Sequence, residues 1–174
     1  RRRVAFAIAR SHYDDGDLER SRDLLLAVAM GWPSTAEGDA AARLALDAAR
    51  AQDDIPGLLA LGRRLQDPAS GVSPAVRSEL GPLMAAAEQR QLDTLALAAA
   101  GEEGSLEELL EFVDRYEGTD LGERALLGAF VAARAAGEQG KLEELGEQVM
   151  QRFPDSEQAP GVASSLGRAA AARW

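Results

Sequence analysis

The sequence contains no cysteine and a single histidine, His12, among 174 residues. The missing cysteine excludes disulfide bonds, thiolate metal sites and cysteine nucleophiles. One histidine cannot complete a transition-metal site, and there is no Gly-rich phosphate loop and no G-x-S-x-G motif. Only carboxylates remain for catalysis, at positions that we expect to be exposed. We therefore expect a protein that is not an enzyme, without a cofactor and without a metal.

Long apolar runs and aromatic residues are also scarce. No apolar stretch approaches the roughly 18 residues of a membrane-spanning helix, so we expect no direct insertion into a membrane. Ala, Leu, Gly, Arg and Glu dominate, and aromatic residues make up 5%. This composition favours an all-α fold. Arginine far exceeds lysine, which is typical of a GC-rich bacterial source, and a first residue that is not Met suggests a fragment of a longer chain.

The charge is strongly negative and unevenly distributed. The net charge is −10, and residues 102–157 alone carry 15 acidic and 5 basic side chains. A surface of this sign repels phosphate backbones and anionic lipids. We therefore expect no nucleic-acid partner.

The stretch from residue 5 to 33 predicts two short helices joined by a tight turn. Apolar residues such as Phe6 fall at helical spacing. Gly16 can adopt the positive φ that ends one helix, and Asp17 can cap the next. The second helix ends before Pro33, because the residue before a proline is disfavoured in helical geometry. Neither helix buries its apolar stripe alone, so each must pack on neighbours.

This hairpin resembles the unit of the tetratricopeptide-repeat (TPR) family, which is about 34 residues long. The matching residues are Ala5-x2-Ile8-Ala9-x2-His12, Ser21-x3-Leu25 and Pro33. Ala5, Ala9 and His12 replace the Trp, Gly and Tyr of the family pattern. The resemblance implies a right-handed α-solenoid of antiparallel helix pairs, whose first helices line a concave groove that binds a peptide or helix of a partner protein.

The rest of the chain continues the pattern. We predict a helix over 35–52 capped by Ser34, a second helix holding Leu58 to Leu65, and a helix start at Ser73. The segment from 74 to 100 contains Gly81-Pro82 and is either one bent helix or two, with a bend favoured. Helices over 119–136 and 156–173 follow.

An internal repeat marks the last third, where residues 104–113 match 140–149 at an offset of 36. We predict four helix pairs plus one terminal helix, in a single domain over residues 1–174.

Arginine recurs on the predicted inner face of the first helices. Guanidinium groups bind carboxylates with two hydrogen bonds, so this face predicts a groove for an extended peptide. The alternative is that these arginines are solvated or pair with neighbouring acids. The predicted groove residues are Arg3, Phe6, Arg10, Tyr13, Arg43, Arg50, Arg124, Leu127, Val131 and Arg134.

Two other clusters have simpler interpretations. Glutamates of the second helices, such as Glu107 and Glu143, could attract a basic partner, but a solvated helix face is the simpler reading. The aspartates after His12 lack the spacing of a calcium loop, so a helix end and cap is the better account.

We therefore expect a non-catalytic protein–protein interaction module, a scaffold of a bacterial multiprotein assembly. The Phe153-Pro-Asp-Ser turn resembles repeats of cell-envelope proteins, which favours the periplasm, with the cytoplasm as the alternative. The competing hypothesis is a structural spacer or oligomerisation segment, which self-associates through terminal repeats.

Overall fold

The computed structural model describes residues 1–99, 101 and 105–171. These residues contain no β-strand, and the predicted all-α class is confirmed. A short 3-10 turn, Pro68–Ser70, precedes the longest helix. The helices are α1 (Arg2–Asp14), α2 (Leu18–Gly31), α3 (Ala36–Ala51), α4 (Ile55–Gln66), α5 (Pro74–Ala99), α6 (Ser105–Arg115), α7 (Asp120–Ala136), α8 (Gln139–Arg152) and α9 (Ala159–Ala171).

The helices divide into two compact units, the first comprising Arg1–Gln91 and the second beginning at Leu92. Helix α5 contributes its first part to one unit and its last residues to the other. Each unit has its own hydrophobic core.

In the first unit, α2 packs against both α1 and α3, and α3 also contacts α1 and α4. Leu25, Leu65 and Leu80 are fully buried in this core. Alanines such as Ala45 let the helix backbones approach closely. The buried hydroxyl of Ser21 donates a hydrogen bond of 2.9 Å to the Ala9 carbonyl, which links α2 to α1.

In the second unit, α7 packs against α6 and α8, and α8 packs against α9. Leu109 and Leu126 are fully buried, and Phe112 stacks on Tyr116 with ring centroids 4.4 Å apart. A Cβ at Gly146 would overlap the Leu166 side chain, so glycine sets how closely α8 and α9 approach.

One turn occurs in both units and corrects the predicted cap of α3. Thr35, rather than Ser34, is the N-cap: its hydroxyl donates to the Trp32 carbonyl (2.7 Å) and accepts from the Gly38 N–H (3.1 Å). Ser34 has φ +53° and donates instead to the carbonyl of Gly71.

The same arrangement begins α7. Thr119 donates to the Tyr116 carbonyl at 2.7 Å and accepts from the Gly122 N–H at 3.2 Å. The residue before the threonine lies in the turn, so only the threonine can satisfy the exposed N–H groups of the helix.

Other boundaries follow the sequence closely. Gly16 and Gly137 have positive φ, as predicted, and the Ser73 hydroxyl accepts from the Val76 N–H at the start of α5. Helix α5 is continuous through Pro82, and the predicted end at residue 100 lies outside the described residues.

Two predictions near the ends of helices need correction or fall outside the structure. Helix α9 begins at Ala159 rather than at residue 156, because the Ser156 N–H bonds to the Phe153 carbonyl and closes a turn first. The predicted end of this helix at residue 173, and the first residue of the internal repeat, Gly104, are not among the described residues.

Candidate functional site

An open groove of about 670 Å³ lies along α7 and α9 in the second unit. Its lining residues are Ala96 of α5, Arg124, Leu127, Gly128, Phe130, Val131, Ala132 and Arg134 of α7, and Gln158, Gly161, Val162, Ser165 and Arg168 of α9 or just before it.

The two sides of the groove are related by the repeat length. Positions three, four, seven and ten residues apart lie on one face of a helix. Five positions of α7 on such a face each have a counterpart 34 residues later on the α9 side. The pairs are Arg124 with Gln158, Leu127 with Gly161, Gly128 with Val162, Val131 with Ser165, and Arg134 with Arg168.

Positive charge lies at both ends of this groove. Arg124 is near one end, and Arg134 and Arg168 occupy equivalent positions at the other. All three side chains belong to exposed residues. Among the described residues that line the groove, none is acidic. The groove therefore offers guanidinium groups without a carboxylate in its own lining.

The guanidinium of Arg168 is held by two serines of its own helix. Its Nη1 donates to the Ser164 hydroxyl at 3.3 Å, and its Nη2 donates to the Ser165 hydroxyl at 3.2 Å. Ser165 is buried and in turn donates to the Gly161 carbonyl at 3.0 Å. A guanidinium has five N–H donors, so this anchoring leaves donors for a ligand.

The middle of the groove is apolar and has open space. Val131 is 48% exposed although it is a large hydrophobic residue. Leu127 and Val162 lie beside it and pack on the core of the unit. A Cβ at Gly161 would meet no atom within 4 Å, so this position borders free volume.

The structure brings four of the predicted groove residues together, namely Arg124, Leu127, Val131 and Arg134. The sequence analysis missed the residues that α9 contributes, above all Arg168. The signal for Arg168 was its position 34 residues after Arg134, together with the 34-residue unit of the family resemblance.

The predicted arginines of the first unit lie differently, because each has a nearby carboxylate. Arg43 binds Glu79 through two hydrogen bonds of 2.8 and 2.9 Å. The other three pairs are Arg3 with Glu37 at 3.2 Å, Arg10 with Asp14 at 3.5 Å, and Arg50 with Asp47 at 3.7 Å.

Two of these carboxylates respond to their partners. The hydrogen bonds from Arg43 lower the pKa of Glu79 below its usual value and raise that of Arg43 itself. A bond from its own backbone N–H, together with Arg3 and Arg2, lowers the pKa of Glu37. The alternative interpretation of the sequence, pairing with neighbouring acids, describes these sites of the first unit.

The two aromatic residues predicted for the groove have different surroundings. Phe6 is half-buried against the core of the first unit. Tyr13 lines a second groove, of about 510 Å³, together with Asp47, Arg50 and Arg90. Arg90 lies 2.9 Å from Asp53, another residue of the lining. This groove therefore contains both signs of charge.

His12 lies 3.3 Å from the carboxylate of Asp17, which explains why Asp17 does not cap α2 with its side chain. In the part of the chain that the structure describes, no cluster of three His, Asp or Glu side chains could hold a metal ion. Within the same part, no helix combines the length and apolar character that crossing a membrane requires.

Comparison of the sequence with models of known protein families finds no match, and comparison with curated proteins finds none either.

Proposed function

We propose that this chain is a non-catalytic interaction module and that the groove between α7 and α9 binds an acidic peptide segment of a partner protein. The proposal includes the TPR-like arrangement of helix pairs in a right-handed solenoid. It is supported by the 34-residue relationship between the two sides of the groove, which is the length of the family's unit.

The observation that carries the proposal is the lining of the groove. Three arginines and several apolar side chains border it, and no described acidic residue does. Such a groove is unusual in a chain with a net charge of −10. Arginine binds carboxylates with two parallel hydrogen bonds, and partial removal from water strengthens that attraction. An acidic segment is therefore the complementary ligand.

The first unit supports the choice by contrast. Its predicted arginines already have carboxylate partners, and its groove contains Asp47 and Asp53 beside Arg50 and Arg90. An acidic ligand would have to displace these internal partners and would meet like charges. We therefore place the ligand in the second unit.

Selection from a library of random 12-residue peptides tests the proposal. We expect the retained peptides to be enriched in Asp and Glu. The triple variant Arg124→Glu, Arg134→Glu, Arg168→Glu should lose them, because it replaces three donors by acceptors. The matched control changes the exposed arginines Arg20, Arg64 and Arg115 to Glu, with the same change in net charge.

If the control loses the peptides as fully as the triple variant does, general charge and not the groove explains the binding. If the retained peptides show no acidic enrichment, the proposal is wrong.

The alternative hypothesis, a spacer or oligomerisation segment, is favoured by one observation on α1. Val4 and Ile8, one turn apart, are 63% and 53% exposed. If a second copy covers this face, light scattering will show a mass above that of the monomer, and Val4→Ser with Ile8→Ser will return it to the monomer.

A further inference from the structure

The groove has a length that limits which acidic peptides fit it. Arg124 and Arg134 are ten residues apart on α7, which places their Cα atoms about 15 Å apart at about 1.5 Å per residue. Side chains of a helix lean toward its N-terminus, so the guanidinium groups are displaced in the same sense. The hydrogen bonds of Arg168 to Ser164 and Ser165 show this direction on α9.

The volume of the groove distinguishes between an extended and a helical ligand. A helix with its side chains is about 10–12 Å wide, so a length of about 15 Å occupies on the order of 1,200 Å³. The groove holds about 670 Å³. Its floor is also shallow at Gly161, where no side chain stands between a ligand and the α9 backbone. Close approach of a peptide backbone at a glycine suits an extended segment.

An extended segment rises about 3.3–3.4 Å per residue and points alternate side chains to the same side. A separation of four residues spans about 13–14 Å and keeps both acidic side chains, and the residue midway between them, directed at the groove. A separation of five residues turns one acid away. The midway residue would face Leu127 and Val131, so an apolar side chain suits it.

We infer that the groove recognises an extended segment with the pattern acidic–any–apolar–any–acidic, in which Arg124 binds one acid and Arg134 with Arg168 binds the other. This inference rests on the proposed function and adds the spacing and conformation of the ligand. The serine anchors of Arg168 act before binding, because they hold the guanidinium in place and so reduce the entropy lost when the ligand binds.

Three labelled nonapeptides of one composition, with blocked termini, test the spacing by fluorescence anisotropy. In GSESVSESG the glutamates are four residues apart, in GSSEVSESG three, and in GSESVSSEG five. We expect the first to bind about tenfold more tightly than the others, because only it presents both carboxylates to arginine. An alanine-based helical peptide with glutamates ten positions apart should bind more weakly than the first.

A substitution that fills the groove tests the position. Gly161→Leu projects a side chain into space that contains no atom within 4 Å, so the fold should remain intact. We expect it to weaken binding of GSESVSESG about tenfold or more, since it fills the space that the apolar residue would occupy. Gly167→Leu is the matched control, because Gly167 lies on the same helix, has open space and does not line the groove.

The outcomes separate the inference from the proposal beneath it. If the three nonapeptides bind equally and the triple arginine variant loses all of them, the spacing is wrong and the proposed function stands. If the helical peptide binds best, the extended conformation is wrong. If Gly161→Leu binds GSESVSESG as well as Gly167→Leu does, the inferred position is wrong. If no acidic peptide binds, the proposed function fails as well.

Discussion

Arg43 of α3 and Glu79 of α5 meet through two hydrogen bonds, 36 residues apart in the sequence. Arg3 and Glu37 are joined in the same way, from α1 to α3, across 34 residues. Ion pairs of this separation connect one helix with the helix of the next repeat-length segment. They show why most predicted arginines of the first unit hold neighbouring helices together.

The Arg43–Glu79 pair makes stability depend on pH in a defined direction. The pKa of Glu79 is lowered from 4.5 by Arg43, so the folded state favours the ionised carboxylate. Its contribution is fully present above about pH 4.5 and is lost as the pH falls through the lowered pKa. In Arg43→Met, the difference in melting temperature from wild type should therefore shrink as the pH falls from about 7 toward 3.

Circular dichroism melts of the two proteins measure this difference. Arg115→Met, an exposed arginine of α6, controls for the change in net charge. A wild-type advantage that stays constant through this pH range would contradict the assignment of the effect to Glu79.

Gly38 and Gly122 should not tolerate a side chain. A Cβ at either position would overlap a backbone carbonyl, of Trp32 or of Tyr116, which cannot move without opening the turn. We expect Gly38→Ala and Gly122→Ala each to reduce the free energy of unfolding by about 1–3 kcal/mol, measured by urea denaturation.

The control for these two variants is Gly167→Ala, in the interior of α9 with open space around it. Alanine has the higher helix propensity, so this change should add about 0.5–1 kcal/mol. If all three glycines respond alike, propensity and not the close approach governs the turns.

Ser21 is expected to contribute through its hydrogen bond rather than its size. It is fully buried and donates to the Ala9 carbonyl on the neighbouring helix. Ser21→Ala should cost about 1 kcal/mol, again in urea denaturation. Ser78→Ala removes an exposed bond within α5 and should change stability by less than about 0.5 kcal/mol. Equal losses would mean that the link between α1 and α2 has no special weight.

The sequence predicted most of the helices because its punctuation is local. Gly16, Gly137 and Ser73 mark helix ends through backbone geometry and capping, which depend on a few adjacent residues. The cap of α3 was misplaced from Thr35 to Ser34 because both can cap and only the turn at Trp32 decides between them.

The site was harder to predict because it depends on residues a repeat apart. The face of α7 was identified from helical spacing, and its four predicted residues share one groove. Arg168 was missed because no repeat position had been assigned on the last helix. Whether an arginine pairs internally depends on the residue about 34–36 positions later, as with Glu79 for Arg43. The TPR family, the bacterial envelope and the periplasm remain predictions.

The most direct test of the account is to locate the bound peptide by NMR. Titration of GSESVSESG into the ¹⁵N-labelled chain should shift the amide signals of Gly128 and Gly161 and the side-chain Nε–H signals of Arg124, Arg134 and Arg168 most strongly, because these groups line the groove. Shifts concentrated around Asp47, Arg50 and Arg90, or no shift at any of the five groups of the α7–α9 groove, would contradict it.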